Sequence, residues 1–424
     1  MFASPSRSFL LALSALSAVQ PCLSAALSFG FPYGKTKVRG VNLGGWLVLE
    51  SWITPSLFDA TNDTRIIDEY TFGKFQTKDK ASAALKRHWD TWITETDFKS
   101  IKAAGLNHVR IPIGYWAWDV SGGEPFVQGQ LPYLTKAIGW ASKYGLKVIV
   151  DLHGGPGSQN GYDNSGQATD SPSWHLDTKN VQRTHAIVKK IAETYRDQSS
   201  VVSAITPLNE PAGWLSGLLP ILKQFYYDSY GAIRWSYGTS KQSNTVMIIS
   251  DAFQATSYWR NYMPYPNWDG VMTDSHFYQV FSNQENAFTP EQHIAAACAR
   301  TNQMSGSTLW QIVGEWSPAT TDCTNSRDFF SRGWGARYEG TYPGSTRVGS
   351  CQGKTGKWST FSEEYKTLMR KYWEAQVISY EKAQGWIMWT WKAENADDWS
   401  YQAGLAGGWI PQNPTNLKYP NICG

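Results

Sequence analysis

The chain has 424 residues, 42% hydrophobic and 17% charged, with a net charge of only +3. That is a globular composition, and without a Lys/Arg cluster it argues against nucleic acid or an anionic membrane as main partner. At roughly 150 residues per domain the length suggests about three domains, yet α/β barrels commonly exceed that as one.

The first element is a leader. Arg7 supplies a basic start, "FLLALSALSAV" an apolar stretch, and small residues follow at 24–26. Residues 1–26 read as a secretory signal, too short to span a bilayer, which leaves 27–424 as the mature chain. No later segment approaches a membrane span. Asn62, in "NDT", is the one N-x-S/T sequon without an intervening proline, and it sits in a polar stretch suited to glycosylation. On a secretory route Cys22 leaves with the leader. Cys298, Cys323, Cys351 and Cys423 remain, an even number that favours two disulfides with three possible pairings.

Further along, one junction recurs. In "SIKAAGLNHVRIP", "WASKYGLKVIVDL" and "YEKAQGWIMWTW" a helical stretch ends at glycine and an apolar run follows at once. Glycine takes the left-handed turn that ends a helix, and the run suits a buried strand. With "VRGVNL", "VVSAITPL", "TVMIIS", "GVMTDSHF" and "LWQIVGEW" these make eight candidate strands. Most alternate with helical stretches, such as 181–195 and 218–235. That pattern predicts a parallel sheet covered by helices, and eight strands fit a (β/α)8 barrel with one catalytic domain and extended loops. An open doubly wound sheet fits less well, because "GGPGSQNG" is not its phosphate-binding fingerprint.

Barrel enzymes gather their chemistry at the C-terminal ends of the strands. Here nearly every candidate strand ends in polar groups: Asn42 and then Glu50, Arg110, Asp151 and His153, Asn209 and Glu210, His276 and Tyr278, Glu315, and the run with Trp391. Singly, each has a plainer explanation as a cap, an ion pair or a satisfied core residue. Asp151 and His153 on one strand face could begin a metal site, but no completing cluster is apparent. The joint pattern singles out Glu210 and Glu315. Paired carboxylates are the minimum equipment for glycoside hydrolysis, one giving a proton and the other ionised. Asn209 could bond a sugar hydroxyl, Arg110 could hold Glu315 ionised, and Tyr278 could orient it. The 22 Trp and 22 Tyr fill the core for the most part, and some could offer flat apolar faces to a sugar.

At these residues the chain resembles the fungal exo-β-1,3-glucanases of glycoside hydrolase family 5. The matching stretches run in order: "RGVNLGGWLVLESWITPSLF", "HVRIPIGYWAW", "DLHGGPGSQNGYDNSG", "PLNEP", "DSHFYQVF", "VGEWSPATTDC" and "GWIMWTWKAENADDWSY". The resemblance implies Glu210 as acid/base and Glu315 as nucleophile, with retention through a covalent glucosyl-enzyme and carboxyl groups about 5–5.5 Å apart. It implies Arg110, His153, Asn209, His276 and Tyr278 as active-site support. Glu50, Asp163 and Asn164 would hold the terminal glucose, with Trp391 as the floor beneath it. Tyr162, where the family often has Phe, and Phe281 would form the aromatic pair at the entrance. The implied disulfides are nested, Cys298 with Cys423 and Cys323 with Cys351. The expectation is a secreted monomer, without metal or organic cofactor, that removes glucose from the non-reducing ends of β-1,3-glucan and transglycosylates at high substrate. A β-1,6-glucanase, a β-glucosidase or a non-catalytic glucan-binding wall protein are the alternatives.

Overall fold

The computed structural model describes residues 28–305, 307–324 and 335–424. The expected leader lies outside them, as does part of the insertion between Cys323 and Cys351. The helix Leu131–Tyr144 ends at Gly145, which has φ +66°, and Lys147 already begins a strand. This is the expected glycine junction. The third junction differs. The helix Glu363–Tyr380 ends earlier, and Gly385 is the first residue of the last strand. A Cβ there would stand 2.0 Å from the Val38 carbonyl oxygen, so glycine is required for close strand approach.

The strands are β1 (Val38–Asn42), β2 (His108–Gly114), β3 (Lys147–Gly154), β4 (Val202–Thr206), β5 (Val246–Ser250), β6 (Val271–Phe277), β7 (Trp310–Trp316) and β8 (Gly385–Met388). They pair in chain order, and β8 returns to β1, closing a parallel barrel. The (β/α)8 expectation is met with one exception. Between β5 and β6 there is no α-helix, only the 3₁₀ turn Thr256–Trp259. Aromatic rings fill that gap: Trp259 lies 5.9 Å from Tyr226 and Trp268 4.9 Å from Tyr230, both on the helix Leu218–Arg234.

Strand alternation sorts the core. Val38, Ile149, Ile248, Met272, Ile312 and Ile387 form an interior cluster, joined at the barrel's N-terminal end by Phe31 and Tyr33. Outward residues such as Val109, Val150 and Val313 join the larger cluster under the helices. The disulfides form as the resemblance implied, Cys298–Cys423 and Cys323–Cys351. Asn62 is exposed in a turn. No helix among the described residues is long and apolar enough to cross a membrane.

Candidate active site

Arg110 sits opposite Asn42 in the β1–β2 register and points into the barrel, 1% exposed. Its Nη1 donates to Asn42 Oδ1 at 2.9 Å and to Glu315 Oε1 at 2.8 Å. Its Nη2 donates to Asn209 Oδ1 at 2.6 Å and lies 3.2 Å from Asp151 Oδ1. Burial works against this guanidinium, but Asp151, Glu315 and Asp274 outweigh it and raise its pKa. One planar fork thus ties together the ends of β1, β2, β3, β4 and β7. Asp151 also fixes His153, whose Nδ1 lies 2.6 Å from Asp151 Oδ2.

Simple alternation would send Glu315 outward with Val313. A bulge reverses this. Val313 pairs with Ser275, but Glu315 pairs with the very next residue of β6, His276, so Gly314 is an extra residue in β7. A bulge turns the following side chain to the other face. Glycine is needed there, since a Cβ would meet Asp274 Oδ2 at 2.1 Å. The Gly314 N–H donates to Asp274 Oδ1 at 2.6 Å, and its carbonyl accepts from Asn42 Nδ2 at 2.8 Å. Glu315 so faces Arg110 on one side and Tyr278 on the other, whose hydroxyl donates to Oε2 at 3.0 Å. Burial, then the charges of Glu315 and Glu210, push the Tyr278 phenol well up, so it keeps the proton it donates.

Glu210 follows β4 with φ +44°, a left-handed conformation that few non-glycine residues hold. The loop after β3 grips it. Gln159 Nε2 donates to the carbonyls of His153 and Asn209, both at 2.8 Å, and Asn160 Nδ2 donates to the Glu210 carbonyl at 3.1 Å. The carboxylate accepts from Asn164 Nδ2 at 3.0 Å, and its Oε1 lies 2.7 Å from His276 Nδ1. That same nitrogen is 3.5 Å from Glu315 Oε2. Burial raises the Glu210 carboxyl, but His276 and Asn164 outweigh it and hold the group below its ordinary value. For Glu315, burial together with the Glu210 charge wins over His276 and Arg110, and the group is raised. Burial lowers His276, yet Glu315, Asp274 and Glu210 raise it well above an ordinary histidine. His276, set between the two glutamates, therefore favours its protonated form more than an ordinary histidine does.

Several buried polar atoms around this pair have no protein partner: Glu50 Oε1, His153 Nε2, Asn164 Oδ1 and Asn209 Nδ2. Buried polar groups are normally satisfied, so these four leave hydrogen-bonding capacity that a ligand rich in hydroxyls could use. Glu50 is held by Trp52 Nε1 at 3.0 Å, while burial and then the charge of Asp163 push its carboxyl well up. Asp163 and Asn164 share the 3₁₀ turn Asp163–Ser165, so of the three expected glucose-holding residues Asn164 also positions Glu210. Tyr162 and Phe281 are exposed at 41% and 45%, and Phe281 packs edge-on to Tyr278 at 5.3 Å.

The expected floor residue, Trp391, is not there. Its indole N–H donates to Asp97 Oδ1 at 2.9 Å, on the helix Glu95–Ala103, and its ring stacks on Tyr401 in the outer core. Regular alternation ends with β8 at Met388, and the Trp391 N–H bonds the Asn42 carbonyl instead. Trp389 occupies the inner position, stacked on His153 with centroids 5.6 Å apart and planes 13° apart.

Ligand atoms of Glu210, His276 and Glu315 lie within 4.8 Å of one another. The two carboxylates are thus close enough to work on opposite sides of one sugar carbon. Residues 73–395 match the family model described as Cellulase (glycosyl hydrolase family 5). The chain belongs to glycosyl hydrolase family 5. Within that family it is 45% identical over 418 residues to the glucan 1,3-beta-glucosidase of Blumeria graminis, covering 97% of this chain and 95% of that one. It is 42% identical to the probable glucan 1,3-beta-glucosidase A of Aspergillus niger over the full length of both. The crystal structure of rutinosidase from Aspergillus niger superposes with a TM-score of 0.71 over 90% of this chain and 99% of that one. At 18% identity that likeness is one of fold. The fungal glucanase resemblance read from the motifs is borne out.

Sequence reasoning missed the supports more than the centre. Asn42 and Asp151 stood out only as strand ends, Asp274 not at all. Its signal was its place two residues before His276, on the same strand face. Gln159 and Asn160 lie inside a matched motif, but their reach to the β4 end is a matter of loop conformation.

Proposed function

We propose that the chain is a secreted, monomeric, retaining exo-β-1,3-glucosidase that releases glucose from non-reducing ends of β-1,3-glucan. The observation that carries the mechanism is that a carboxylate oxygen of Glu210 and one of Glu315 lie within 4.8 Å of each other, with His276 against both. Retaining pairs stand about 5–5.5 Å apart, whereas inverting pairs leave room for a water at about 6.5–9.5 Å. The substrate follows from the relatives' names and from the open polar atoms of Glu50, Asn164 and Asn209.

In the first step Glu315 attacks the anomeric carbon while Glu210 gives its proton to the departing glycosidic oxygen. The old C–O bond breaks and a glucosyl ester forms on Glu315. In the second, Glu210 takes a proton from water, which attacks the same carbon and frees Glu315. A sugar hydroxyl in place of that water gives transglycosylation. Taken alone, the resting titration order would exchange the two roles. The hydrogen bonds favour the roles given: Arg110 cannot give up a proton and Tyr278 keeps its own, so both Glu315 oxygens accept, as those of a carboxylate nucleophile do. His276, 2.7 Å from Glu210, can hand its proton across. Secretion is supported by the leader sequence and two disulfides, and glycosylation of Asn62 by its exposure.

A 2-deoxy-2-fluoro-glucosyl inhibitor tests the roles. Peptide mapping should find the label on Glu315; label on Glu210 would reverse them. Early products from laminarin test the rest. Glucose alone is expected, a ladder would mean endo action, and preference for a β-1,6-glucan would move the substrate.

A further inference from the structure

Two Asp-x-His pairs reach the mouth of the barrel, Asp151 with His153 on β3 and Asp274 with His276 on β6. Each aspartate follows an interior residue, Ile149 or Met272, by two positions, so alternation sends it inward, one layer below its histidine. Both are buried, 0% and 3% exposed. A buried carboxylate is costly unless its oxygens are met. Asp151 meets Arg110 and His153, both fixed parts of the wall. Asp274 is placed differently, between the supports of the two glutamates.

Its Oδ1 accepts from the Gly314 N–H at 2.6 Å. Gly314 is the extra residue of β7, and a bulge leaves such a residue outside the regular ladder. Asp274 takes its N–H, and Asn42 Nδ2 donates to its carbonyl at 2.8 Å. The fit is close, since a Cβ on Gly314 would stand 2.1 Å from Asp274 Oδ2. The bulge pinned in this way is what turns Glu315 inward. The second oxygen faces the other glutamate's partner. Asp274 Oδ2 lies 3.4 Å from His276 Nε2, while Nδ1 of the same ring lies 2.7 Å from Glu210 Oε1 and 3.5 Å from Glu315 Oε2. A rigid ring held at one nitrogen is aimed at the other, and an acceptor behind Nε2 favours a proton there.

The ring's charged neighbours come from several elements. Glu210 follows β4, Glu315 is on β7, and Asp251, after β5, feels the ring's charge. Arg260 and Arg300 line the groove that His276 borders, and Arg110 on β2 feels the charge of Asp274. Asp274 is the member of this set that bonds both the ring and the backbone carrying Glu315. We propose that Asp274 is a positioning residue for both halves of the catalytic pair: its Oδ1 holds the Gly314 bulge that aims Glu315, and its Oδ2 holds the His276 ring against Glu210. This rests on the reading of Glu210 and Glu315 as the catalytic pair, and adds one common support beneath them.

Asp274→Asn separates the two contacts. Its amide oxygen can still accept from Gly314, but the group facing His276 becomes an uncharged N–H donor. An anion that favours the charged ring is then gone, so the alkaline limb of the kcat/KM profile should move about half to one pH unit lower. At the optimum kcat should fall about five- to tenfold with KM within about twofold. Asp274→Ala also frees the Gly314 N–H and should lower kcat roughly tenfold further. In a His276→Asn background, Asp274→Asn should no longer move the limb. A limb unmoved in Asp274→Asn, or moved equally in that background, would overturn the link to Glu210. Equal kcat in the Asn and Ala variants would overturn the link to Glu315. The unaltered chain gives a reading that no Asp274 variant need fold for. In a histidine-selective 15N spectrum at pH 6, with the signal assigned by its loss in His276→Asn, Nε2 should carry a proton; an unprotonated Nε2 would overturn the proposal. Fluoro-sugar label on a residue other than Glu315 in the unaltered chain would instead overturn the catalytic reading beneath it.

Discussion

The two ends of the barrel both bury a histidine, and the two are in opposite states. At the N-terminal end His108 lies against Phe31, with its Nδ1 2.6 Å from Asn107 Oδ1 and its Nε2 3.4 Å from the Tyr33 hydroxyl. Burial, helped by the charge of Lys147, lowers its pKa to about 3, so the ring is neutral. At the C-terminal end burial acts on His276 in the same sense, but Glu315, Asp274 and Glu210 overcome it. The residue type and the burial are alike; the neighbours differ. One end is closed with apolar rings and neutral hydrogen bonds. The other keeps charges in opposition and leaves polar atoms open, which makes it costly for folding and available for chemistry.

That contrast can be broken by mutation, with the largest effects at the charged end. Glu315→Gln should lower glucan hydrolysis by about 10⁴-fold or more with circular dichroism unchanged. Arg110→Lys keeps a cation but loses the fork that serves Asn42, Glu315 and Asn209 together; kcat should fall by about 10²-fold, as for a displaced catalytic group. His276→Asn removes the proton shared with Glu210, and the alkaline limb of the kcat/KM profile should move about one pH unit or more to lower pH.

Beyond the C-terminal ends of β1 and β2, Glu69 is buried with N–H donors from Leu49, Trp116 and Gln130, and burial raises its carboxyl from 4.5 to about 7. A raised folded value means its contribution to stability is fully present below pH 4.5 and is lost as pH rises through 7. Burial raises Asp398 in the same way, to about 7. Thermal melting should therefore drop from pH 4.5 to pH 7.5, by less in Glu69→Gln than in the unaltered chain. The smallest effect belongs to the neutral end. Tyr33→Phe loses the bond to Ser203 Oγ at 2.9 Å and should cost ~1 kcal/mol in chemical denaturation, with kcat/KM untouched. Loss of activity in that variant without loss of fold would erase the distinction between the ends.

All eight strands were legible because buried parallel strands are continuous apolar runs with abrupt ends. Glu210 and Glu315 were legible as carboxylates at two of those ends. What alternation could not reveal is that Glu315 faces inward, since that depends on the one-residue bulge at Gly314. Trp391 was misplaced because the resemblance was carried onto the second indole of the last strand's end; the strand stops at Met388, and Trp389 holds the inner place. Most strands, not all, were read as separated by helical stretches, and the β5–β6 crossover is one that lacks a helix, with aromatic filler in its place. Loop contacts such as Gln159 on Asn209 lie beyond any pattern of spacing, because they join residues 50 apart through irregular backbone.

The pairing of β1 with β8 has a consequence for how the molecule comes into being. Val38 meets Gly385, and Val41 meets Met388, so the first strand finds its second neighbour only after the six intervening strands have been synthesised. Until then β1 offers an unpaired edge to whatever lies nearby, and the interior that Phe31 and Tyr33 cover has no far wall. A nascent chain of this topology cannot complete its core in instalments. Closure waits for the final strand to leave the ribosome, and contacts so distant in sequence form slowly. A truncation before Gly385 would therefore leave more than a shortened enzyme: it would leave two open edges and no chamber in which Glu210 and Glu315 could face each other.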